Sequence, residues 1–268
     1  MSSISSTELT TLYVSRAGEK NTSQDHKPAN QRVWRTTDQA ELTVTGKQES
    51  TKMGKAWLTN IQFHQVIAGP SRAFHQTAEH ALGAGRIAQI RTVNRWSEID
   101  LRDLEGKAAK EVQELYLRHH PHIKTAPNAN ECLNRAWPFL ADGTRIDFED
   151  YETQFNPRVL HQVNEIQREY PGQVIFLATG YEGPRTLILE AKGTREFYQS
   201  EFGQEVAKRA EEKSGNSNLD LTALQIKQLI LRDEMTTIKP AGIELKINQQ
   251  GQLFLNGTYG FRLRPLPS

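Results

Sequence analysis

Glu190 and Lys192 are the two residues whose types and spacing point most directly to chemistry. They end an apolar run, residues 186 to 189, that reads as a buried strand, and on a strand residues two apart project to the same side. A carboxylate and an ammonium held together at the end of a sheet can bind a divalent cation and activate the water on it. The plainer alternative is a strand-end ion pair.

The elements around the pair follow from local patterning. Pro157 sits at the first position of a helix expected to run to Tyr170, with Val159, Leu160, Val163 and Ile166 on one face. Two apolar runs, 174 to 178 and 186 to 189, flank Gly180, Gly183 and Pro184 and are expected to form a β-hairpin. A charged helix over 195 to 213 comes next. This order resembles the core of the PD-(D/E)XK nuclease superfamily over residues 157 to 213. The resemblance implies a metal-dependent phosphodiesterase in which Glu190 binds Mg²⁺ or Mn²⁺ and Lys192 polarises the attacking water. The preceding strand lacks the further acid this chemistry needs, and Thr179 stands near its place. Asp147, with Asp150 and Glu182 as alternatives, would complete the metal set. The same segment, with Phe197, Tyr198, Phe202 and Gly203, is also similar to GNAT-type acetyltransferases. Their pyrophosphate turn is missing, because Gly83 and Gly85 are remote and follow a helix.

A different resemblance lies in the N-terminal half. Leu12, Tyr13, Val33, Trp34, Arg35 and the stretch 54 to 59 are similar to the opening of ADP-ribosyltransferase-like toxin domains. That resemblance implies NAD as cofactor, with Arg35 contacting it and Thr59 lining the nicotinamide pocket. Glu98 and Glu149 are the acids available to activate an acceptor. The cluster His119, His120 and His122 could bind a transition metal, but it lies at a helix end, where cationic histidine is favourable for dipole reasons alone.

Other elements are read in the same way. Residues 32 to 35, 40 to 45 and 86 to 93 alternate like strands, and 55 to 67 holds a third apolar run. Helices are expected over 71 to 82, 103 to 119 and 222 to 234, a short strand over 145 to 148, and a β-meander over 242 to 263 with turns at 248 to 251 and 256 to 257. The expectation is an α+β protein: an N-terminal mixed sheet with helices, a helix-hairpin-helix α/β core, and a C-terminal β-meander. The divisions expected are a flexible N-terminus over 1–30, an α+β domain over 31–122, a linker over 123–144 and an α/β domain over 145–268.

Composition limits the function classes. The chain has 268 residues, 33 Lys and Arg against 32 Asp and Glu, and a formal net charge of +1. Nucleic acid would therefore be held by a local patch rather than by the overall field. Cys132 is the single cysteine, so an internal disulfide and a Cys-rich zinc site are excluded. No apolar run approaches the roughly 18 residues of a membrane helix. The residues together lead to a metal-dependent nuclease-like enzyme, a bacterial effector or toxin type. An NAD-using ADP-ribosyltransferase-like toxin and a non-catalytic two-domain adaptor with a protein partner are the alternatives. Localisation is expected to be cytoplasmic, or within a target cell after secretion without disulfides.

Overall fold

Apolar side chains alternate with a period of two along three short strands, and the two sets enter different cores. Leu12, Val14, Ile67, Ile175 and Leu177 join one cluster, whereas Tyr13, Val66, Ala68, Phe176 and Ala178 join another. These strands are therefore covered on both faces, as parallel strands in α/β folds are. The structure, a computed structural model, describes residues 9–21, 39–83, 89–126, 132, 147–149, 151–214 and 235–263.

The strands are β1 (Thr10–Arg16), β2 (Gln65–Ala68), β3 (Ile90–Thr92), β4 (Val174–Thr179), β5 (Lys192–Gly193), β6 (Met235–Ile247) and β7 (Leu253–Leu263). They form one mixed sheet in the order β3-β2-β4-β1-β6-β7-β5. β3, β2, β4 and β1 are mutually parallel, and β6 runs antiparallel to both β1 and β7. Seven α-helices are described: α1 (Val44–Trp57), α2 (Arg72–Leu82), α3 (Ala109–His119), α4 (Asn156–Glu169), α5 (Glu182–Glu190), α6 (Arg195–Gln199) and α7 (Glu201–Ser214). The protein is thus a mixed α/β fold, and its sheet takes strands from both sides of residues 123–144. Thr10–Arg16, within the stretch expected as a flexible N-terminus, is one of its central strands.

Several local expectations are corrected. Residues 182–190 form helix α5 instead of the second strand of a hairpin, so Glu190 closes a helix and does not share a strand with Lys192. The apolar run 186 to 189 was too short to tell a buried strand from a buried helix turn. The strand expected over 40 to 45 and the run beginning at Lys55 give way to α1, which Thr43 caps by accepting from the Gly46 N–H. The buried face of α1 is Gly46, Ser50, Met53 and Gly54, mostly small residues that leave little apolar periodicity to read. The 195 to 213 helix breaks at Ser200 into α6 and α7. Asn248 to Gly251 turns as expected, but Asn256 and Gly257 stay within β7 at a register shift against β6. Arg35 and the helix expected over 222 to 234 lie outside the described residues.

One core cluster packs α4, α5 and α6 on the first face of the sheet through Val159, Val163, Leu187, Ile188 and Phe197. The other packs α1 and α2 on the second through Met53, Leu58, Phe74, Ala78 and Ala81. A satellite cluster of Leu101, Leu104, Val112, Tyr116, Cys132 and Phe148 joins α3 to the segment after β3.

Candidate functional site

Strand order locates the crevice. The chain leaves β1 through α1 toward β2 and β3 on one side, then returns to place β4 between β2 and β1. It leaves β4 through α5, which packs on the opposite face of the sheet from α1. Ligands of open α/β sheets bind outside the carboxyl ends of strands where the connections part in this way. Here those are the ends of β1 and β4.

Arg16 ends β1, and Ala17, Gly18, Glu19 and Lys20 continue it; Thr179 ends β4, followed by Gly180, Tyr181 and Glu182. The Ala17 N–H donates to the Thr179 carbonyl at 3.0 Å, which locks the two strand ends together. The Gly18 N–H donates to Thr77 Oγ1 on α2 at 3.2 Å. Glu19 is tied back to α1, its carboxylate accepting from the Thr43 hydroxyl at 2.8 Å. The Thr179 hydroxyl donates to the Trp96 carbonyl at 3.1 Å, which holds the segment after β3 over the end of β4.

That segment brings Glu98 to the crevice. Lys20 Nζ lies 2.5 Å from Glu98 Oε1. The Glu98 side chain rests on Gly180, where a Cβ would come within 2.6 Å of Glu98 Cγ. Arg158 of α4 anchors the same segment by donating to the Arg95 carbonyl at 2.5 Å while pairing with buried Glu149 at 2.6 and 2.7 Å. The Arg16 guanidinium stacks on the Tyr181 ring, 4.5 Å from its centre. Glu182 pairs with Arg185 at 3.2 Å and accepts a hydrogen bond from the Tyr151 hydroxyl in the π-helical turn that precedes α4. Burial raises the Glu182 carboxyl above its usual range, and the charge of Glu98 adds to the rise, while Arg185 and Arg16 oppose it. Although 22% of its side chain stays exposed, Glu182 is ringed closely by protein. Three cations, Arg16, Lys20 and Arg185, thus converge with two carboxyls at the switch point. Such an arrangement suits an anion held by charge-assisted hydrogen bonds.

The residues singled out from sequence lie elsewhere, apart from Glu98 and Glu182. Glu190 and Lys192 flank Ala191 between α5 and the β5 edge. Asp147 is held in the segment beneath α3, where it pairs with Arg102 at 2.8 Å. They come from different elements, and no group of three His, Cys, Asp or Glu side chains able to hold a metal occurs among the described residues. Thr59 donates its hydroxyl to the Lys55 carbonyl at the end of α1, remote from the carboxyl ends of the strands. Arg16 gives no signal in the sequence, because its neighbours Ala17 and Gly18 carry no reactive group.

Comparison with known proteins fits this geometry. The family model described as Histidine phosphatase superfamily (branch 1) matches residues 12–196, from within β1 to the start of α6. No curated protein matches the chain. Among solved structures, phosphoglycerate mutase from Bacillus anthracis str. Sterne aligns with a TM-score of 0.60 at 14% identity, covering 94% of each chain. Bacillus stearothermophilus YhfR aligns at 0.57 with 20% identity, covering 92% of this chain and 95% of its own. A histidine-to-alanine mutant of phosphoserine phosphatase from Entamoeba histolytica, in complex with phosphoserine, aligns at 0.54 with 15% identity, covering 93% and 96%.

These findings overturn the nuclease and ADP-ribosyltransferase resemblances and the toxin reading, and the two-domain adaptor gains no support from them. The Mg²⁺ or Mn²⁺ and the NAD they implied fall with them, since histidine phosphatases work without metal or NAD. With its family model covering both strand ends that frame the crevice, this chain belongs to the histidine phosphatase superfamily, branch 1.

Proposed function

We propose that the crevice at the ends of β1 and β4 recognises a phosphate monoester of a small organic acid. Arg16 is the principal anion contact, and Lys20 and Arg185 raise the local positive charge. The observation that carries this reading is Arg16 at the switch point of a sheet whose family acts on phosphoryl groups. The ligand class is suggested by relatives named for phosphoglycerate and phosphoserine. Glu98 and Glu182 limit the net charge of the crevice and favour ligands whose amine or hydroxyl can donate to a carboxylate.

Isothermal titration with phosphoserine, and with serine as control, tests this reading. Saturable binding of phosphoserine alone is expected, weakened roughly tenfold or more in Arg16→Gln, as the loss of a charge-assisted hydrogen bond requires. Equal binding by Arg16→Gln, with an unchanged melting temperature, would sink it.

A further inference from the structure

Histidine phosphatases are named for an imidazole, a group able to attack phosphorus covalently or to move a proton. Among the described residues, the segments that line this crevice, from which such an imidazole would rise, are the ends of β1 and β4 and the segment carrying Glu98. In this chain those segments are Arg16-Ala17-Gly18-Glu19-Lys20, Thr179-Gly180-Tyr181-Glu182 and Trp96-Ser97-Glu98, and none contains histidine. Ala17 is 3% exposed, and Thr179 is buried with its hydroxyl committed to the Trp96 carbonyl. The two junction positions are thus filled by a methyl group and a satisfied hydroxyl.

The histidines with described positions lie elsewhere. His64 precedes β2 at the amino end of the sheet, where Nδ1 accepts from the Val174 N–H at 3.0 Å. His75 reaches a carboxyl end only at the outer strand, 3.2 Å from Thr92 Oγ1 and two strands from β4. His80 closes α2, and His119, His120 and His122 cluster at the end of α3. His161 on α4 faces Glu165 at 3.2 Å. His26 lies outside the described residues.

We propose, resting on the phosphate reading above, that this chain binds a phosphomonoester at the β1/β4 crevice and leaves the ester bond intact. The remaining groups do not replace the missing one. Arg16 stays protonated and cannot attack, and the Glu98 carboxylate is paired with Lys20. Without an imidazole among its described residues, the crevice retains the means of recognition and lacks the nucleophile or proton carrier of turnover. The ligand would be captured by this protein rather than consumed.

Binding and turnover are measured separately on the full chain. Titration with phosphoserine reads binding, and release of inorganic phosphate from phosphoserine and from p-nitrophenyl phosphate reads turnover. Wild type is expected to bind phosphoserine and to release phosphate no faster than buffer, with His26→Ala and His75→Ala indistinguishable from it. Release above background that disappears in Arg16→Gln would overturn the inference, and its additional loss in His26→Ala or His75→Ala would identify the histidine responsible. Absence of phosphoserine binding overturns the phosphate reading itself, and this inference with it.

Discussion

Lys20 and Glu98 form an ion pair of 2.5 Å between residues 78 positions apart, bridging the extension of β1 and the segment after β3. The pair sits where Glu98 leans on Gly180, so it fixes how much negative charge an incoming anion meets. Glu98→Gln removes that charge and releases Lys20 toward the ligand. Binding of inorganic phosphate, which has no amine to donate to Glu98, should tighten about fivefold, the worth of one charge at about 4 Å in water (about 1 kcal/mol), and the gain should shrink as salt is added. Calorimetry at two ionic strengths checks this, and weaker binding by Glu98→Gln would contradict it.

Glu182 links pH to stability. Its carboxyl is raised above the usual glutamate range, chiefly by burial, so between its unfolded and folded values the folded state holds a proton that the unfolded state has released. Stability attributable to this group is therefore full below the unfolded value and declines as pH rises through the folded one. Glu182→Gln should remove that slope and be the more stable protein relative to wild type at the alkaline end. Urea unfolding across pH measures the difference, and parallel curves for the two proteins would refute it.

Arg158 and Glu149 should be costly to separate. Glu149 is 6% exposed and also accepts from the Asp100 N–H at 2.9 Å, so removing it leaves the Arg158 guanidinium without its carboxylate and a backbone donor without its acceptor. Glu149→Ala is expected to cost about 3–5 kcal/mol in urea unfolding, the range for breaking one side of a buried pair. Because the pair anchors the segment carrying Glu98, phosphoserine binding should weaken at temperatures where the variant is still folded.

Gly54 permits α1 and α2 to cross closely: a Cβ there would stand 1.8 Å from the Ala81 carbonyl oxygen. Alanine would favour the helix by about 1 kcal/mol, but moving a backbone carbonyl in a packed core costs roughly 1–3 kcal/mol or more. The clash prevails, and Gly54→Ala should lower the melting temperature; an unchanged or higher one would show that the helices can part.

The sequence made some elements readable and hid others for definite reasons. α2 and α4 were legible because Phe74, Ala78, Ala81, Val159, Val163 and Ile166 bury at helical spacing beside clear starts. β4 was legible as a continuous apolar run. α1 was not, since glycine and serine fill its buried face. α5 was misread because Leu187, Ile188 and Leu189 look alike on either period. The crevice was the least visible part. Glu98 and Glu182 entered only as acids for other chemistries, and Arg16 stands between Ser15 and Ala17, where nothing reactive draws notice. Its importance arises from topology, which sets the ends of β1 and β4 together and is not written in either segment.

The position of β1 also bears on how the chain folds. Its neighbours are β4 and β6, and even the Thr10 hydroxyl finds its acceptor, the Tyr170 carbonyl, 160 residues away. Contacts so distant in sequence make folding slow, because loop entropy is lost before the pairing rewards it. During synthesis β1 emerges before both of its partners and must wait for them, while Leu12 and Val14 are without the core that later covers them. Chains in this interval are the ones most exposed to aggregation, and a chaperone that holds extended apolar segments would find its natural target in β1.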